Sequence, residues 1–554
     1  MWNRSFSIYG VVAPRRLNSS KKFGNGIGRR AGSRRRSGAP ARANRDAERL
    51  ARPHRHAGLC AHCTRILPLS YVVSNLRTVA VIGGGISGLS TAYALHEQAA
   101  AAGIPIRCTV VDAASDWGGK IITHRIGDLV TEAGPDSFLS QKPAGLELCD
   151  KLGLADQLIN TNETNKQASV YSRGRLHELP EGLVVIVPSQ LGPFLRSGLL
   201  SWAGLARMGL DLAVPVKRSP GDESLADFFR RRVGRQAFER MIEPLMAGIY
   251  AGDAEQMSVQ ATFPRFVELE QQYGSVIRGM MTTRKSVSSP THSNQKRTMF
   301  VSLKNGLSDL VAALVHRLTD QGVTLKGGCA VDALRVRSHQ LGRWMYDVIL
   351  TDGSALSVDS LVLATPAYVS AELVRPLTPT AGGLLEIIPY ASTATIAMAY
   401  PRAAVSGAAE GFGFVVPRAE GRDLIAATWT SLKWPHRAPP DQLLVRCYVG
   451  GVGREAILQL DDQALVARVR AELASMCGVT AAPWFVEVNR WMRAMPQYTL
   501  GHLERLNQIE AALSRYGGLI LTGAGYRGVG IPDCIRDGAV AAERVMRYLS
   551  GERS

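Results

Sequence analysis

Residues 77–112 read RTVAVIGGGISGLSTAYALHEQAAAAGIPIRCTVVD. The apolar run 78–82 has the pattern of a buried strand, and the glycine-rich residues 83–88 lead into apolar side chains at helical spacing. A second strand is predicted over 108–111 and ends at Asp112. A strand, a helix and a second strand in this order predict a βαβ unit, which belongs to an α/β fold with a parallel sheet.

The glycine motif G-x-G-x-x-G is formed by Gly83, Gly85 and Gly88, between the predicted strand and helix. The first glycine permits a tight turn, the second lets the backbone approach a pyrophosphate, and the third lets the helix pack closely on the strand. Asp112 stands 24 residues after Gly88, where a carboxylate binds ribose hydroxyls in such units. We therefore predict a dinucleotide site, with the phosphates at the helix N-terminus. The alternative is a glycine-rich turn that binds nothing.

The composition excludes several classes of protein. With 554 residues, 46% of them hydrophobic and 20% charged, the chain is too long for a small module and too apolar to be wholly disordered. No apolar run of about 18 residues occurs, so no membrane-spanning helix is predicted. No metal site is predicted, because Cys60-x-x-Cys63 is a lone pair. Six scattered cysteines predict free buried thiols in a reducing compartment: Cys108, Cys149, Cys329, Cys447, Cys477 and Cys534.

The net charge of +18 is concentrated in residues 1–75, which contain 16 Lys and Arg against 2 Asp and Glu. The remainder of the chain has 49 basic and 45 acidic side chains, so no nucleic-acid partner is expected for it. Because Gly, Ser, Ala and Pro separate its arginines, the basic segment is predicted to be a disordered tail. It is interpreted as an organelle-targeting segment, an electrostatic tether, or upstream residues included by an incorrect start codon.

Two further segments resemble motifs of the amine-oxidase-like flavoproteins. Residues 116–120 (DWGGK) are similar to their second dinucleotide motif, and residues 128–138 (DLVTEAGPDSF) are similar to the loop that faces the flavin. Trp117 replaces the usual basic residue before the glycine pair, and Asp112 replaces the usual glutamate. The resemblance implies one non-covalent FAD per chain. The implied cofactor-binding residues are Gly83, Gly84, Gly85, Ile86, Ser87, Gly88, Asp112, Ala113, Gly118, Gly119, Lys120, Gly134, Pro135, Asp136, Ser137, Val331, Trp491, Val529, Gly530 and Ile531.

Longer segments narrow the resemblance to the oxygen-dependent protoporphyrinogen and coproporphyrinogen III oxidases of haem biosynthesis. This resemblance covers residues 77–551 and implies oxidation of a porphyrinogen substrate, with molecular oxygen as acceptor and hydrogen peroxide as by-product. A cytoplasmic location is expected, while peripheral membrane contact and a homodimer stay open. The segments that carry the resemblance are 226–234, 242–253, 434–439, 495–498, 501–502 and 528–535.

Two details favour coproporphyrinogen III as the substrate within this family. Plant and animal members that act on protoporphyrinogen IX have an arginine before the strand corresponding to residues 169–171, and Ala168 stands there in this chain. Residues 428–430 and 529–535 resemble the bacterial enzymes that form coproporphyrin III. The alternatives are protoporphyrinogen IX oxidation, and an oxidase or desaturase of the same superfamily that acts on another substrate.

Because the flavin would carry the electron chemistry, the protein needs no catalytic triad or metal centre. His502 is the candidate general base, and a structural histidine is the alternative. Cations are candidates to bind propionates, with solvated surface charge as the alternative, and two aromatic residues are candidates to pack on the macrocycle or to lie in a strand core. These substrate candidates are Lys166, Arg173, Arg175, Lys304, Phe414 and Trp429.

The resemblance implies a discontinuous organisation: an α/β FAD-binding domain of Rossmann-like type, an α+β substrate domain, and a mostly helical lobe. Apolar positions flanked by cations in the lobe, residues 167–276, suit either an ordinary core or contact with a membrane. The FAD-binding segments are predicted at 77–158, 322–368 and 483–554, and the substrate segments at 159–166, 277–321 and 369–482.

Overall fold

The computed structural model describes residues 76–164, 167–179, 183–184, 187–188, 198–218, 221–286, 297–338, 343–405 and 410–551. These ranges belong to one compact unit, Pro68–Ser554. Lys166 and the predicted tail lie outside the described residues. Within the described ranges, no helix has both the length and the apolar character that crossing a membrane requires.

Twenty-two strands are described. They are β1 (Arg77–Ile82), β2 (Ile106–Val111), β3 (Thr123–Ile126), β4 (Leu129–Glu132), β5 (Phe138–Leu139), β6 (Leu158–Asn160), β7 (Ala168–Ser172), β8 (Arg175–Glu178), β9 (Leu183–Val184), β10 (Val187–Pro188), β11 (Phe300–Leu303), β12 (Thr324–Lys326), β13 (Val331–Ser338), β14 (Trp344–Leu350), β15 (Ala355–Val358), β16 (Ser360–Leu363), β17 (Tyr390–Pro401), β18 (Gly413–Val415), β19 (Leu424–Trp429), β20 (Gln442–Gly450), β21 (Phe485–Pro496) and β22 (Leu519–Leu521).

The described α-helices are α1 (Ile86–Ala102), α2 (Pro143–Lys151), α3 (Trp202–Gly209), α4 (Leu225–Val233), α5 (Arg235–Ala237), α6 (Glu243–Tyr250), α7 (Val259–Thr262), α8 (Pro264–Tyr273), α9 (Val276–Ser286), α10 (Ser308–Asp320), α11 (Ala367–Val374), α12 (Pro379–Glu386), α13 (Thr430–Lys433), α14 (Asp462–Cys477), α15 (His502–Leu513) and α16 (Ile531–Ser550). A π-helical turn, Phe238–Ile242, joins α5 to α6.

A five-stranded parallel sheet has the order β12-β2-β1-β16-β22. Val79 and Val81 of β1 pack on one face with residues of α1, α10 and α16, whereas Ala80 and Ile82 pack on the other face with α11, α12 and α15. Because both faces are covered, β1 is apolar at every position from Val79 to Ile82, which is why the sequence shows a run there rather than an alternation. The predicted βαβ unit and parallel sheet are confirmed.

A seven-stranded mixed sheet has the order β21-β17-β20-β19-β18-β7-β8. Its pairs are antiparallel except β18 with β7. One face packs on α14, where Ile396 and Met398 share a core with Leu465 and Val469. The opposite face meets β4, where Ala397 packs near Leu129. This second face therefore lies towards the segment that follows β4.

Helices α3 to α9 surround a separate apolar core that contains Phe228, Phe229 and Met241. The side chain of Arg232, fully buried in the last turn of α4, lies 2.6 Å from a carboxylate oxygen of Asp211 and 3.3 Å from one of Glu270. It also donates to backbone carbonyls of neighbouring segments. These bonds tie the helices of the lobe to one another.

The structure places four predicted segments differently. Strands β7 and β8 pair into the seven-stranded sheet, so that part of 167–276 is not helical. Helix α9 packs in the lobe core through Val276 and Met280, which carries the lobe past residue 276. Helix α10, predicted in the substrate domain, shares a core with β1. Strand β21, predicted in the FAD-binding domain, is an edge strand of the seven-stranded sheet. Strand pairing places β7, β8 and β21, and apolar contacts place α9 and α10. Neither kind of contact is readable from sequence spacing.

Candidate cofactor and substrate site

The loop between β1 and α1 is shaped by glycines that differ in their surroundings. Gly83 has φ 111°, a left-handed conformation that favours glycine. A Cβ on Gly88 would lie 1.8 Å from the carbonyl oxygen of Gly83. A Cβ on Gly85 would meet no protein atom within 4 Å. Gly88 is therefore required by helix packing, whereas the space beside Gly85 is open to a ligand.

Two helices begin at glycine caps near the carboxyl ends of the parallel strands. Gly85 caps α1 and Gly530 caps α16, and in neither helix does a side chain accept a hydrogen bond at the cap. The first-turn N–H groups and the positive ends of both helix dipoles are thus available for anionic groups. This is the arrangement that a dinucleotide pyrophosphate requires.

The structure brings the second motif onto the first. The N–H of Gly118 donates to the carbonyl of Gly84 at 2.8 Å. A Cβ on Gly84 would lie 2.4 Å from the ring of Trp117, so this tryptophan packs where only glycine fits. Asp112 accepts hydrogen bonds from the backbone N–H of Gly84 at 2.5 Å and of Ala114 at 2.7 Å. These contacts hold the ends of both loops at one edge of the sheet.

Other predicted cofactor residues join the same edge. The N–H of Cys329 donates to the carbonyl of Asp112, which sets the start of β13, Val331, beside the end of β2. A Cβ on Gly134 would lie 1.8 Å from the carbonyl oxygen of Lys120, so the loop after β4 runs against the second motif. The Lys120 side chain is exposed, yet loss of hydration lowers its pKa.

The loop after β4 is held by a network of charged groups. Asp136 accepts from the Nζ of Lys433 at 3.1 Å and from the Nε1 of Trp434 at 3.3 Å. Burial opposes ionisation of Asp136, but the charges of Lys433 and Arg446 outweigh it and hold its pKa below the usual range. Glu132 accepts from the Nη2 of Arg437 at 3.2 Å, and burial raises its pKa against that attraction.

A buried pair of rings supports the turn that precedes α16. The hydroxyl of Tyr498 donates to the carbonyl of Ala524 at 2.6 Å and accepts from the N–H of Gly528 at 2.8 Å. His502 stacks on Tyr498 at 4.3 Å between ring centroids, and its Nε2 lies 2.9 Å from the carbonyl oxygen of Tyr526. Because a carbonyl only accepts, Nε2 carries the proton. Val529, Gly530 and Ile531 follow directly, so this pair sets where α16 begins.

His502 has the structural role rather than the catalytic one. Its side chain is fully buried, and burial lowers its pKa to about 4. A base must reach the proton that it removes, and the His502 side chain has no exposed surface. Among the described residues, no group of three or more His, Cys, Asp or Glu is placed to hold a metal ion. All six described cysteines are free thiols.

The substrate candidates lie apart from one another. Arg173 and Arg175 are exposed on the β7–β8 hairpin, where Arg173 and Gly174 both have positive φ, as a two-residue hairpin turn requires. Lys304 is exposed and directly follows β11, which belongs to a different sheet from β7 and β8.

Phe414 and Trp429 lie in a strand core, which is the second of the two alternatives given for them, and not on the surface of a substrate cavity. Both are almost fully buried, in the core between the seven-stranded sheet and α14. Their side chains face the helix, so a substrate cannot reach them.

Several residues of the site were not predicted. Arg446 and Thr395 hold the loop after β4, and Glu132 pairs with Arg437 behind it. One signal for Arg446 was present in the sequence, because it is the single charged residue in the apolar run 443–449. A charge inside a buried strand must find partners. Thr395 offered no such signal, since threonine is common in strands.

Comparison with known proteins identifies the family to which the chain is similar. The profile described as flavin containing amine oxidoreductase matches residues 86–546. The coproporphyrinogen III oxidase of Bacillus subtilis (strain 168) is 37% identical over 85% of this chain and 98% of its own length. The chloroplastic protoporphyrinogen oxidase of Oryza sativa subsp. japonica is 31% identical over 85% and 88%. A solved structure from Exiguobacterium sp. 255-15 has a TM-score of 0.73 at 31% identity, covering 85% and 98%.

The chain belongs to the flavin containing amine oxidoreductase family. This confirms the resemblance drawn from the sequence, and FAD as the cofactor. The structure fits that cofactor: the space beside Gly85 is open, both facing helices lack a side-chain cap, and the first and second motifs meet. Members of this family share the fold while acting on different substrates, so the substrate has to be argued separately.

Proposed function

We propose that the chain oxidises coproporphyrinogen III to coproporphyrin III in haem biosynthesis. The observation that carries the proposal is the likeness to the Bacillus subtilis coproporphyrinogen III oxidase over 98% of that protein's length. The plant protoporphyrinogen oxidase matches at lower identity over the same share of this chain. Three oxygen molecules would accept the six electrons and six protons that the porphyrinogen loses, giving three molecules of hydrogen peroxide.

In this proposal the backbone holds the cofactor and the charged groups orient it. The loop from Gly83 to Gly88 and the N-terminus of α1 bind the pyrophosphate, and Asp112 binds the ribose. Residues 134–137 and 529–531 border the flavin. FAD supplies the hydride acceptor and the route of electrons to oxygen. The protein excludes bulk water and sets the position of the macrocycle.

The test uses the purified full chain. The flavin spectrum is recorded first, and porphyrin fluorescence is then followed in air after adding coproporphyrinogen III or protoporphyrinogen IX. We expect faster turnover of coproporphyrinogen III. Preference for protoporphyrinogen IX would move the assignment to that substrate, for which the rice relative is the supporting observation. If the chain binds FAD but oxidises neither porphyrinogen, the family assignment stands and the proposed substrate is wrong.

The exposed cations Arg173, Arg175 and Lys304 are the described candidates for binding the propionates. Replacing each by Ala should raise KM with little change in kcat if the cation binds carboxylate in ground and transition states alike. Arg337→Ala is the control, since Arg337 is exposed and pairs with Asp347 in the β13–β14 hairpin. If the kinetics of a variant match those of this control, the replaced cation does not bind a propionate.

We also propose that the enzyme is cytoplasmic and that its helical lobe touches membranes. Trp202 is 76% exposed at the start of α3, and Leu210 and Leu212 are exposed directly after it. Apolar side chains near Lys217 and Arg218 suit an interface with anionic lipid. Trp202→Ser should reduce co-sedimentation with phosphatidylglycerol vesicles, whereas Trp484→Ser, at a tryptophan elsewhere that is 55% exposed, should not. Equal binding by both variants would contradict the contact.

Light scattering on the same proteins before vesicles are added distinguishes monomer from homodimer.

A further inference from the structure

The carbonyl oxygen of Ala133, in the loop after β4, accepts three hydrogen bonds. The donors are Nε1 of Trp491 at 2.8 Å, Oγ1 of Thr395 at 3.0 Å and Nη2 of Arg446 at 3.0 Å. The same Nη2 also donates to the carbonyl of Gly134. A carbonyl oxygen has two lone pairs, so three donors, one of them charged, are an unusual concentration.

These donors come from three neighbouring strands, β21, β17 and β20. Thr393 of β17 pairs with Trp491, and Ala397 pairs with Arg446. Thr395 lies two residues from each of these β17 positions, and side chains alternate along a strand. All three donors therefore project from one face of the seven-stranded sheet. The sheet holds this single peptide from one side.

The other end of the same peptide is free. In a trans peptide, the N–H of Gly134 points opposite to the carbonyl of Ala133, and hence away from the sheet. No residue in the described part of the chain accepts a hydrogen bond from this N–H. Gly134 also lacks room for a Cβ beside Lys120. Hydrogen bonds in series polarise one another, so three donors on the carbonyl strengthen the N–H as a donor.

Arg446 forms no direct ion pair with a carboxylate in the described part of the chain. Arg446 is 5% exposed, and its guanidinium donates to the two backbone carbonyls and lies 5.0 Å from the ring of Tyr448. Its Nε has no hydrogen-bond partner among the described residues. The effect of this charge reaches the loop, since it helps to keep the pKa of Asp136 low. A buried positive charge thus lies directly behind the peptide.

We propose that Arg446, with Thr395 and Trp491, aims the polarised N–H of Gly134 at the flavin and thereby raises the flavin's reduction potential. This rests on the proposed cofactor site, in which residues 134–137 border the flavin. Two-electron reduction leaves a flavin that carries negative charge at neutral pH, and a fixed donor with a positive charge behind it stabilises that form. Arg446 is a positioning residue, because it acts through the peptide rather than by touching substrate.

The test is the midpoint potential of FAD bound to the full chain, measured against a reference dye with no porphyrinogen present. Arg446→Met should lower the ratio of reduced to oxidised flavin at a fixed potential by about tenfold, which is about 30 mV for a two-electron couple. Arg446→Lys, which keeps the charge, should recover part of this loss. Thr395→Val and Trp491→Phe, which each remove one donor, should give smaller falls in the same direction.

Two controls separate this role from a structural one. Arg490→Met alters an arginine of β21 that faces the other side of the sheet and pairs with Asp462. Thr393→Val alters the same face of β17 at a threonine whose side chain makes no hydrogen bond within the described ranges. Both should keep the parent potential. A merely structural role for Arg446 would change stability and leave the potential of the bound flavin where it was.

Each outcome bears on one proposal only. If the parent chain binds no FAD, the cofactor site itself is wrong. If it binds FAD but prefers another substrate, the potential measurements still decide the present inference. If Arg446→Met binds FAD at the parent potential, the inference is overturned. If Arg446→Met fails to bind FAD, Arg446→Lys and Thr395→Val decide, and parent potentials in both would overturn it.

Discussion

At the scale of single residues, the glycines of the first loop are glycines for two different reasons. A Cβ at Gly88 would collide with the backbone of Gly83, and no adjustment of a side chain could relieve that contact. Gly85 has an extended conformation, with φ −73° and ψ 177°, and open space where a Cβ would stand. Alanine fits the protein at Gly85, and only a ligand would exclude it.

Gly85→Ala should therefore weaken FAD binding by tenfold or more, about 1.4 kcal/mol, while the protein without FAD keeps its melting temperature. FAD titration of flavin-stripped protein, followed by fluorescence, gives the affinity. The matched control is Gly383→Ala in α12, where a Cβ also meets no atom within 4 Å but no cofactor is expected. Parent affinity in Gly85→Ala would show that the pyrophosphate does not pass this backbone.

His502 makes stability depend on pH. Its pKa in the folded protein is about 4 because it is buried, against 6.5 ordinarily; Arg505 and Arg527 lower it further, and Tyr526 and Asp222 oppose the shift. As pH falls below 6.5, the unfolded chain takes up a proton that the folded chain refuses, so stability is lost. The loss is complete near pH 4, and at pH 5 it is about 2 kcal/mol.

The measurement compares urea unfolding of the parent with His502→Asn at pH 7 and pH 5. Asparagine can still donate to the carbonyl of Tyr526 but does not titrate in this range. Other titrating groups affect both proteins, so the difference between the two curves isolates the histidine. A difference that stays constant from pH 7 to pH 5 would contradict a neutral, buried His502.

The residues that the sequence predicted best are those whose role is local. The glycine loop, Asp112 and the second motif are set by backbone geometry within about 40 residues, and the structure brings them together as expected. Arg446 and Trp491 reach Ala133 from strands more than 300 positions away along the chain. Such contacts depend on how the sheets pack, which no local pattern specifies.

At the scale of elements, α4 shows why a run of charges does not define a surface. Arg230, Arg231 and Arg232 are consecutive, yet their exposure falls along the series until Arg232 is fully buried. Successive helical residues are rotated by about 100°, so neighbours in sequence face different surroundings. The sequence shows three cations, and only the packing of α4 on the lobe shows which one is internal.

Arg232→Met should destabilise the chain by about 3–5 kcal/mol, because it leaves Asp211 buried without its cation. Arg235→Met is the control: its partner, Glu239, is one helical turn away and the pair is solvated, so the expected change is about 0–0.5 kcal/mol. Urea unfolding at pH 7 gives both values. Equal effects from the two substitutions would mean that the buried pair contributes no more than the surface pair.

The elements also show where boundary prediction fails. The sequence of β21 does not show which sheet the strand joins, since its partner β17 lies about 90 residues earlier. Helix α10 has an apolar stripe that would fit either domain, and it packs against β1. Pattern predicts the type of element, while the partner of each buried face is a tertiary property.

At the scale of the whole molecule, the two large sheets meet at the loop after β4. The parallel sheet places the glycine motifs at one edge, and the seven-stranded sheet sends Arg446, Thr395 and Trp491 to the same loop. Glu132, at the end of β4, pairs with Arg437 beside this loop. A cofactor bordered by this loop would contact residues of both sheets, so its binding should tighten the whole unit.

The charge distribution leads to a prediction for the intact chain. Residues 1–75 carry a net +14, whereas the rest of the chain carries +4. The glycine loops, the loop after β4 and the start of α16 all lie within residues 76–551. Removing residues 1–75 should therefore leave the FAD content per chain and kcat for coproporphyrinogen III within twofold of the full chain. Absorbance and porphyrin fluorescence measure the two quantities on parallel preparations.

Salt distinguishes a passive tail from one that attracts the substrate. Coproporphyrinogen III has four carboxylates, and a net +14 would concentrate it near the protein at low ionic strength. If the tail contributed this way, its removal would raise KM at low salt, and the difference would vanish where the Debye length falls to about 3 Å, at 1 M. We expect KM of the two proteins to agree at both salt concentrations, because Arg173, Arg175 and Lys304, which we propose bind the propionates, lie outside residues 1–75. If truncation raises KM only at low salt, residues 1–75 contribute to attracting the substrate.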